Sequence, residues 1–357
     1  MKAATYYGPF DVRVEEVPEP GKLAPGEILL APLVGSLCGT DVTEFVAGPK
    51  MIPLHQAHPV SKHRGPVILG HEFVGIVLAV GPGVTTLRIG QRVVPGAGMW
   101  CGACPTCLAG RPNICERYVL YGIHTHGGLA ERVRVPARMC VAVPEMCSDA
   151  AAALAQPCAI AIHALRRSGI KPGQSVALFG VGGIGGFLLA ALLAQTQEGF
   201  TLLAVDADER KRGLFERLGA TASSFITADQ FTERAVRDLT AGRGFDLVIE
   251  ASGSSVAVQQ ALSSVCKGGT LLQVGIPAEV VPLPLGQAVP REVTIVTTNG
   301  MVCTVDLPLA LELLTQSHLA TQITDRTIAL DSLVPQGLMP LSQREILGKV
   351  LVSIQKM

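Results

Sequence analysis

The sequence predicts an α/β protein in which a mostly β domain is followed by a doubly wound parallel sheet. A change in composition and in hydrophobic periodicity near Asp149 indicates this. Before Asp149 the chain is rich in glycine, proline and short β-type runs, and after it strands alternate with amphipathic helices. A length of 357 residues is sufficient for two cores.

The first domain is predicted from short apolar runs that turn signals such as Pro25-Gly26 separate. Predicted strands lie at 27–32, 67–69, 73–80, 91–94 and 129–135.

The second domain is predicted from a regular alternation that follows an alanine-rich helical stretch ending near Arg167. Predicted strands lie at 175–179, 201–205, 223–226, 246–250, 270–274 and 293–297, and predicted helices at 184–194, 208–218, 229–240 and 255–266. Six strands of this kind form a complete doubly wound sheet. The tail from about Thr298 returns to short elements, so we expect residues 1–157 and 298–357 to form one domain and residues 158–297 the other.

Charge and composition restrict the partners. Lysine plus arginine equal aspartate plus glutamate, 29 each, which argues against a nucleic-acid partner because such binding needs excess clustered cation. Val176 to Ala194 carries no charge, but its glycines break it in two, so we expect no membrane span. The first residues lack an apolar signal core, so we expect a reducing, cytoplasmic location in which the ten cysteines stay free of disulfides.

A glycine-rich turn opens the second domain. Gly180, Gly182 and Gly185 have the G-x-G-x-x-G spacing between a predicted strand and a predicted helix. In that context glycines allow a tight turn and close approach of the backbone to a pyrophosphate, which binds at the helix N-terminus. We expect Gly183 and Ile184, at the start of the helix, to take part.

Asp206 ends the second predicted strand, 21 residues after Gly185. A carboxylate there accepts hydrogen bonds from a ribose 2′-hydroxyl and repels a 2′-phosphate, which favours NAD over NADP. Arg210 follows on the next helix as a candidate cofactor contact, although a solvated helix face is the simpler interpretation of it.

Four cysteines occupy fifteen residues in the first domain. Cys101, Cys104, Cys107 and Cys115 can close tetrahedrally around one Zn²⁺, and four sulfur ligands leave no position for a substrate. We therefore predict a structural zinc lobe at about residues 96–118. A zinc module that binds nucleic acid is the alternative, which the neutral charge opposes.

A second group of metal-type residues lies upstream, at Cys38-Gly39-Thr40-Asp41 and Gly70-His71-Glu72. The run Gly70-His71-Glu72-x-x-Gly75-x5-Gly81-x-x-Val84 resembles the signature of the zinc-containing medium-chain alcohol dehydrogenases. The Cys-Gly-Thr-Asp turn, the cysteine lobe and the dinucleotide turn occur in that family's order, and the chain is most similar to its 2,3-butanediol and polyol (sorbitol-type) branch.

The resemblance implies a GroES-like catalytic domain and two zinc ions per chain. It implies that Cys38 and His71 bind a catalytic zinc, with Glu72 as a direct or intermittent ligand, and that Thr40 relays a proton. It also implies an NAD-binding domain in which we expect Val274 and Thr298 to contact the cofactor. The expected substrate is a small-molecule secondary alcohol or its ketone, and the expected assembly is a homodimer or homotetramer joined through the last strand of the parallel sheet.

Three positions depart from that family, of which Gln91, in place of an aspartate in the family's Gly-Asp-Arg-Val turn, is expected to have a structural effect only. Gln156 stands where polyol enzymes carry a glutamate that binds zinc or orders its water, and Cys158 is a second candidate for that place. Thr43 replaces the usual relay histidine, so the proton must leave through water or through His55, His58 or His63, which could equally be surface-loop residues. The substrate could then be bulkier than a butanediol or a sorbitol.

The departures keep two other functions open. One is a dinucleotide-sensing or structural protein that retains the scaffold without turnover. The other is a zinc-independent quinone or enoyl reductase, which the cysteine lobe and the Gly-His-Glu run oppose.

Overall fold

The computed structural model describes residues 1–195, 201–221 and 224–355. The chain divides into two compact units, residues 1–159 with 301–357 and residues 160–300. No helix within the described ranges is long and apolar enough to cross a membrane.

Eighteen strands lie in the described part of the chain. The first ten are β1 (Lys2–Gly8), β2 (Asp11–Glu16), β3 (Glu27–Ser36), β4 (Val67–Ile68), β5 (Phe73–Val80), β6 (Arg92–Pro95), β7 (Gly98–Met99), β8 (Val119–Leu120), β9 (Val133–Pro136) and β10 (Cys140–Ala142). The next six are β11 (Ser175–Phe179), β12 (Thr201–Asp206), β13 (Phe225–Thr227), β14 (Phe245–Glu250), β15 (Val265–Gln273) and β16 (Thr294–Thr297). The last two are β17 (Thr324–Ala329) and β18 (Lys349–Ser353).

Twelve α-helices accompany them within the same described ranges. Those of the first half are α1 (Gly39–Ala47), α2 (Pro105–Leu108), α3 (Asp149–Ala153), α4 (Ala155–Ser168) and α5 (Gly183–Gln195). The rest are α6 (Lys211–Arg217), α7 (Glu233–Thr240), α8 (Ser255–Ser264), α9 (Leu285–Ala288), α10 (Cys303–Gln316), α11 (Leu319–Ile323) and α12 (Met339–Ser342).

The first unit is built on a seven-stranded sheet in the order β10-β6-β5-β3-β18-β17, with β9 also paired to β3. The tail returns here, because β18 pairs antiparallel with β3. A three-stranded sheet, β2-β1-β4, and the small pair β7-β8 complete the strands of this unit. Buried apolar residues including Tyr6, Phe45 and Leu69 form its core.

The second unit is a six-stranded sheet in the order β13-β12-β11-β14-β15-β16, and all its strand pairs are parallel. Its core includes Phe179, Val205, Phe245 and Val248 from the central strands. This order is that of the doubly wound dinucleotide fold, so the predicted fold class is confirmed.

Several boundaries differ from the prediction because polar side chains accept hydrogen bonds from backbone amides at or just before the helix starts. Helix α7 begins at Glu233 rather than residue 229, because the Thr232 hydroxyl accepts a hydrogen bond from the Ala235 amide at 3.2 Å. Helix α6 begins at Lys211 rather than residue 208, since Asp208 accepts from the Arg210 amide at 3.1 Å.

Other differences come from strand pairing. Strand β15 begins at Val265, within the predicted helix 255–266, because Val265 is already extended. Strand β9 begins at Val133 rather than residue 129, since the Leu129 amide bonds Leu69 at 2.9 Å instead. The first residue of the predicted strand 223–226, Ser223, lies outside the described residues.

Candidate active site and dinucleotide site

The four cysteines of the predicted zinc lobe lie together, with their sulfur atoms within 4.8 Å of one another. The Sγ atoms of Cys101 and Cys107 are 4.0 Å apart and those of Cys104 and Cys115 are 3.8 Å apart. Two thiolates on one tetrahedral Zn²⁺ lie about 3.8 Å apart, given Zn–S bonds of about 2.3 Å. The spacing therefore fits a zinc ion.

Hydrogen bonds stabilise two of these sulfurs, those of Cys101 and Cys104, as thiolates, whereas burial raises the pKa of Cys107. The amides of Ala103 and Cys104 donate to Cys101 Sγ at 3.4 and 3.3 Å, and these hydrogen bonds lower the pKa of that thiol. The Thr106 hydroxyl contacts Cys104 Sγ at 3.2 Å and, together with backbone amides, lowers the pKa of Cys104 to about 5. Thiolates, rather than thiols, bind metal, so these contacts prepare the cluster for a cation.

A second cluster brings together Cys38, His71 and Glu72, whose ligand atoms lie within 4.8 Å of one another. Cys38 is the N-cap of α1, directly after β3, and the other two residues lie between β4 and β5. His71 is 5% and Glu72 1% exposed. The chain thus brings three metal-type side chains from two distant segments together, two of them buried and Cys38 half-buried.

Asp41 supports this cluster, a role that sequence reasoning missed. Its carboxylate is fully buried and accepts a hydrogen bond from the Cys38 amide at 2.9 Å, which fixes the first turn of α1. Its other oxygen lies 3.9 Å from His71 Nδ1, and neither of these two atoms has a hydrogen-bond partner. A histidine that binds metal through Nε2 donates its Nδ1–H to such a carboxylate, so these orphaned atoms fit a bound metal.

The electrostatics of the cluster also fit a cation. Burial disfavours an imidazolium, but the charges of Cys38 and Asp41 outweigh burial and raise the pKa of His71 to about 10. The negative charges around His71 therefore favour a positive charge at this place.

Lys349, which no sequence motif indicated, compensates the charge of Glu72. Its ammonium lies 2.6 Å from Glu72 Oε2 and donates to the Leu37 carbonyl, also at 2.6 Å. Burial alone would raise the pKa of Glu72, but Lys349 outweighs it and the pKa lies below the ordinary value. Glu72 is therefore ionised, with one oxygen already committed to an ion pair.

Gln156 lies in the first turn of α4 and is 3% exposed. Its Oε1 is buried without a hydrogen-bond partner. Burying an unpaired amide oxygen is costly, so this atom fits a metal or water ligand. Cys158 is fully buried, and burial raises the pKa of its thiol well above the ordinary value, which keeps it protonated. Among the described residues, Cys158 does not belong to the cluster of Cys38.

The predicted relay residues have separate places. Thr40 Oγ1 lies 3.7 Å from Cys38 Sγ. Thr43 is exposed and donates to the Gly39 carbonyl at 2.9 Å, so its hydroxyl bonds the backbone of its own helix. His55 is also exposed.

The other two candidate histidines pair with histidines from a second loop. His58 stacks on His124 with ring centroids 4.2 Å apart, and His63 meets His126 edge-on at 4.8 Å. The loop of His124 and His126 contacts the segment that carries His71, because Gly128 donates to the Gly70 carbonyl at 2.8 Å. These histidines thus lie on two loops, one of which is bonded to the segment that carries His71.

The glycine-rich turn has the geometry of a phosphate-binding turn. Gly180 has φ +89°, and a Cβ at Gly185 would lie 1.8 Å from the Gly180 carbonyl oxygen. A Cβ at Gly182 would meet nothing within 4 Å, which leaves room for a ligand. Gly183 begins α5 and Ile184 is half-buried on it.

Asp206 lies beside that turn. Its carboxylate accepts from the Val181 amide at 2.7 Å and from the Asp208 amide at 3.0 Å. It lines a cavity of about 270 Å³ together with Gly180, Ser252 and, among others, Phe179, Val205, Ala228, Ser254, Val256 and Gln260. The cavity has the apolar walls and single carboxylate that an adenosine needs.

The remaining predicted cofactor contacts differ in their surroundings. Arg210 pairs with Asp208 at 2.6 Å and is largely exposed, as expected for a solvated helix face. Val274 follows β15, where its amide donates to the Glu250 carbonyl at 2.8 Å. Thr298 follows β16 and its hydroxyl oxygen is buried without a partner. The last two lie at the carboxyl ends of parallel strands, where dinucleotides bind.

Comparison with known proteins shows which families, relatives and solved structures this chain is similar to. Residues 24–145 match the alcohol dehydrogenase GroES-like domain and residues 183–316 match the zinc-binding dehydrogenase family. A probable D-xylulose reductase A of Aspergillus clavatus is 33% identical over 81% of this chain and 79% of its own. The (R,R)-butanediol dehydrogenase of Bacillus subtilis is 31% identical over 99% of each chain, and its crystal structure superposes with a TM-score of 0.89 at 30% identity over 99% of each. A zinc-binding dehydrogenase of Sinorhizobium meliloti 1021, solved with NADP, is 29% identical with a TM-score of 0.82, over 99% of this chain and 98% of that one.

Proposed function

Because the chain belongs to the zinc-binding alcohol dehydrogenase family, we propose that it is an NAD-dependent dehydrogenase of secondary alcohols. The observation that carries this proposal is the group of Cys38, His71 and Glu72, in which Glu72 is already paired with Lys349. Unlike four sulfurs, this group leaves a metal position open for a substrate oxygen.

The chain's own residues would share the work as follows. Cys38, His71 and the Gln156 amide oxygen would hold a zinc ion, which when bound supplies a Lewis acid that lowers the pKa of a substrate hydroxyl. Thr40 would pass the proton, because a hydroxyl both accepts and donates. Thr43 bonds its own backbone, so we propose that the proton leaves Thr40 through water rather than through that side chain.

The substrate class follows from the relatives and from the neutral Gln156. The named relatives act on a butanediol and on xylulose, so we propose a vicinal diol, a polyol or a bulkier secondary alcohol. Replacing a ligand carboxylate by an amide leaves the bound metal more positive, which favours an alkoxide.

The dinucleotide would bind at the Gly180 turn with its ribose on Asp206. The carboxylate lies beside the turn, where its oxygens accept from the amides of Val181 and Asp208. A negative charge at this place repels the 2′-phosphate of NADP, which supports NAD over NADP. Replacing Asp206 by glycine should lower the ratio of kcat/KM with NAD to kcat/KM with NADP by at least about tenfold, because the site no longer repels the 2′-phosphate of NADP. An unchanged preference would show that Asp206 does not bind the ribose.

We also propose that two copies of the chain associate through β16. Within the described residues this strand has a neighbour on one side only, and Ile295 on it is 39% exposed. Unprotected apolar edge strands pair with other chains. Light scattering of the Ile295→Lys variant should show smaller particles than the native chain, and an unchanged mass would exclude this edge. A reducing cytoplasmic location is proposed on the ten free thiols.

Zinc content and turnover together test the proposed function. We expect two zinc ions per chain and NAD⁺ reduction with at least one compound in a panel of vicinal diols, polyols and hydrophobic secondary alcohols. Cys38→Ser should lose one zinc and at least about a hundredfold of turnover, because even outer-shell changes cost about 10- to 100-fold. Cys140→Ser, which alters a thiol outside both clusters, is the matched control.

The outcomes separate the alternatives. One zinc with tight NAD binding and no turnover on the panel would favour the dinucleotide-sensing protein. No zinc with turnover would favour a zinc-independent reductase.

A further inference from the structure

Glu250 is a fully buried carboxylate that the proposed mechanism does not use. It ends β14 at the carboxyl edge of the parallel sheet, the edge at which dinucleotides bind. Burying a carboxylate is costly unless hydrogen bonds compensate it. Its contacts therefore indicate what it contributes.

One oxygen of Glu250 organises the loop that follows its own strand. Oε1 accepts from the Ser252 amide at 2.8 Å, the Ser252 hydroxyl at 2.5 Å and the Gly253 amide at 3.0 Å. The Ser252 hydroxyl in turn accepts from the Ser254 amide at 3.1 Å. Ser252 and Ser254 both line the cavity of Asp206.

The same loop touches the glycine-rich turn. A Cβ at Gly180 would lie 2.9 Å from the Ser252 amide nitrogen, so the two backbones are in direct contact. Moving Ser252 would displace the turn that is proposed to bind the pyrophosphate.

The other oxygen organises the loop after the neighbouring strand, β15. Oε2 accepts from Gln273 Nε2 at 2.6 Å, and that same nitrogen donates to the Gly275 carbonyl at 2.8 Å. A Cβ at Gly275 would lie 2.3 Å from the Gly253 amide nitrogen, so the two loops also touch each other. Val274, a proposed cofactor contact, lies in this second loop.

We propose that Glu250 is a positioning residue that fixes both halves of the dinucleotide site, and this rests on the proposed function. One oxygen holds the loop after β14, on the adenosine side of the site. The other holds the loop after β15, in the other half of the sheet. Neither oxygen would contact the cofactor itself. Charge-assisted hydrogen bonds are stronger than neutral ones, and loops held in place before binding bind more tightly. A glutamine at position 250 would place its amide N–H group opposite the N–H and O–H donors of the loops, so at least one of these hydrogen bonds would be lost.

The test is binding of NADH and of ADP-ribose to Glu250→Gln, by titration calorimetry. We expect the Kd of both ligands to rise at least about tenfold, roughly the loss of one such hydrogen bond. Asp246→Asn is the matched control, because Asp246 lies at the other end of β14 and accepts from the Ser175 amide and hydroxyl, both at 2.8 Å. It should lower stability and leave both Kd values within about twofold of the native protein, since its loops are remote from the cofactor edge.

A second variant keeps the proposal testable if Glu250→Gln does not fold. Gln273→Leu removes only the link to the second loop, so NADH should bind about fivefold more weakly while ADP-ribose binding is unchanged. A folded Glu250→Gln variant that binds NADH with the Kd of the native protein would overturn the inference. So would an Asp246→Asn variant whose Kd values rise as much as those of Glu250→Gln. A native protein that binds no NADH would instead overturn the proposed function.

Discussion

The two metal-type clusters of this protein are built in opposite ways. The four-cysteine lobe takes all its ligands from fifteen consecutive residues and stabilises them with local amides. The cluster of Cys38, His71 and Glu72 draws on distant segments, and Asp41 and Lys349 surround it. A closed, local site suits architecture, whereas a site assembled from the fold and compensated by neighbours suits chemistry.

The largest expected effect tests the architectural role of the lobe. Cys115→Ala should lower the free energy of unfolding by more than about 4 kcal/mol, the range in which loss of a metal site falls. Chemical denaturation of the zinc-loaded protein measures it, with Cys140→Ser as the control. A loss below about 1 kcal/mol would mean that the lobe does not brace the fold.

The next effect tests whether the second cluster depends on its surroundings. Lys349→Met should cost about 3–5 kcal/mol of unfolding free energy, because Glu72 would remain buried without its partner. Adding Glu72→Gln should recover part of that loss, since no unpaired charge then remains. If the double variant is no more stable than Lys349→Met alone, the ion pair is not what the cluster depends on.

A smaller effect follows from the histidines that pack against the segment of His71. Burial, with the neighbouring His58, lowers the pKa of His124 to about 4, so the folded protein keeps it neutral. An unfolded histidine titrates near pH 6.5, so between pH 6.5 and 4 the unfolded state binds more protons. Stability should therefore be full above pH 6.5 and fall by roughly 1–3 kcal/mol toward pH 4 from this group.

The control for that pH dependence is His124→Asn, which retains an acceptor for the Leu120 amide but does not titrate. The urea concentration at the midpoint of unfolding, measured from pH 7 to pH 4, should fall less steeply with decreasing pH in the variant than in the native protein. The other titrating groups are common to both proteins and contribute equally to both slopes. Parallel slopes would show that His124 contributes nothing to acid sensitivity.

The smallest expected effect concerns Gln156, the proposed third zinc ligand from this chain. Gln156→Ala should weaken zinc at the second cluster by about tenfold, and Gln156→Glu should tighten it, because a carboxylate is a stronger donor than an amide. Competition with a chelator measures both, and the lobe zinc is the internal reference. Equal affinity in all three proteins would exclude Gln156 as a ligand.

The parallel sheet was the most predictable part of the fold. Strand β11 lies at the predicted residues, because its apolar run is bounded by Pro172-Gly173 and Gly180. Helix ends were less predictable, as α7 shows, since whether Thr232 or an earlier polar residue caps the helix depends on the chain's course. Helix α1 was missed, and Cys38 was expected in a simple turn, although Asp41 three residues later is a capping signal.

Features whose physics is local follow from the order of the amino acids alone. Four cysteines within fifteen residues and glycines between a strand and a helix indicate their function by their spacing. Features that depend on burial and on distant partners become apparent only in the folded chain. Lys349 meets Glu72 across 277 residues, Asp41 faces His71, and Gln156 has an unpaired buried oxygen. Neither the cost of burying a charge nor its compensation is visible until the fold has excluded water from that place.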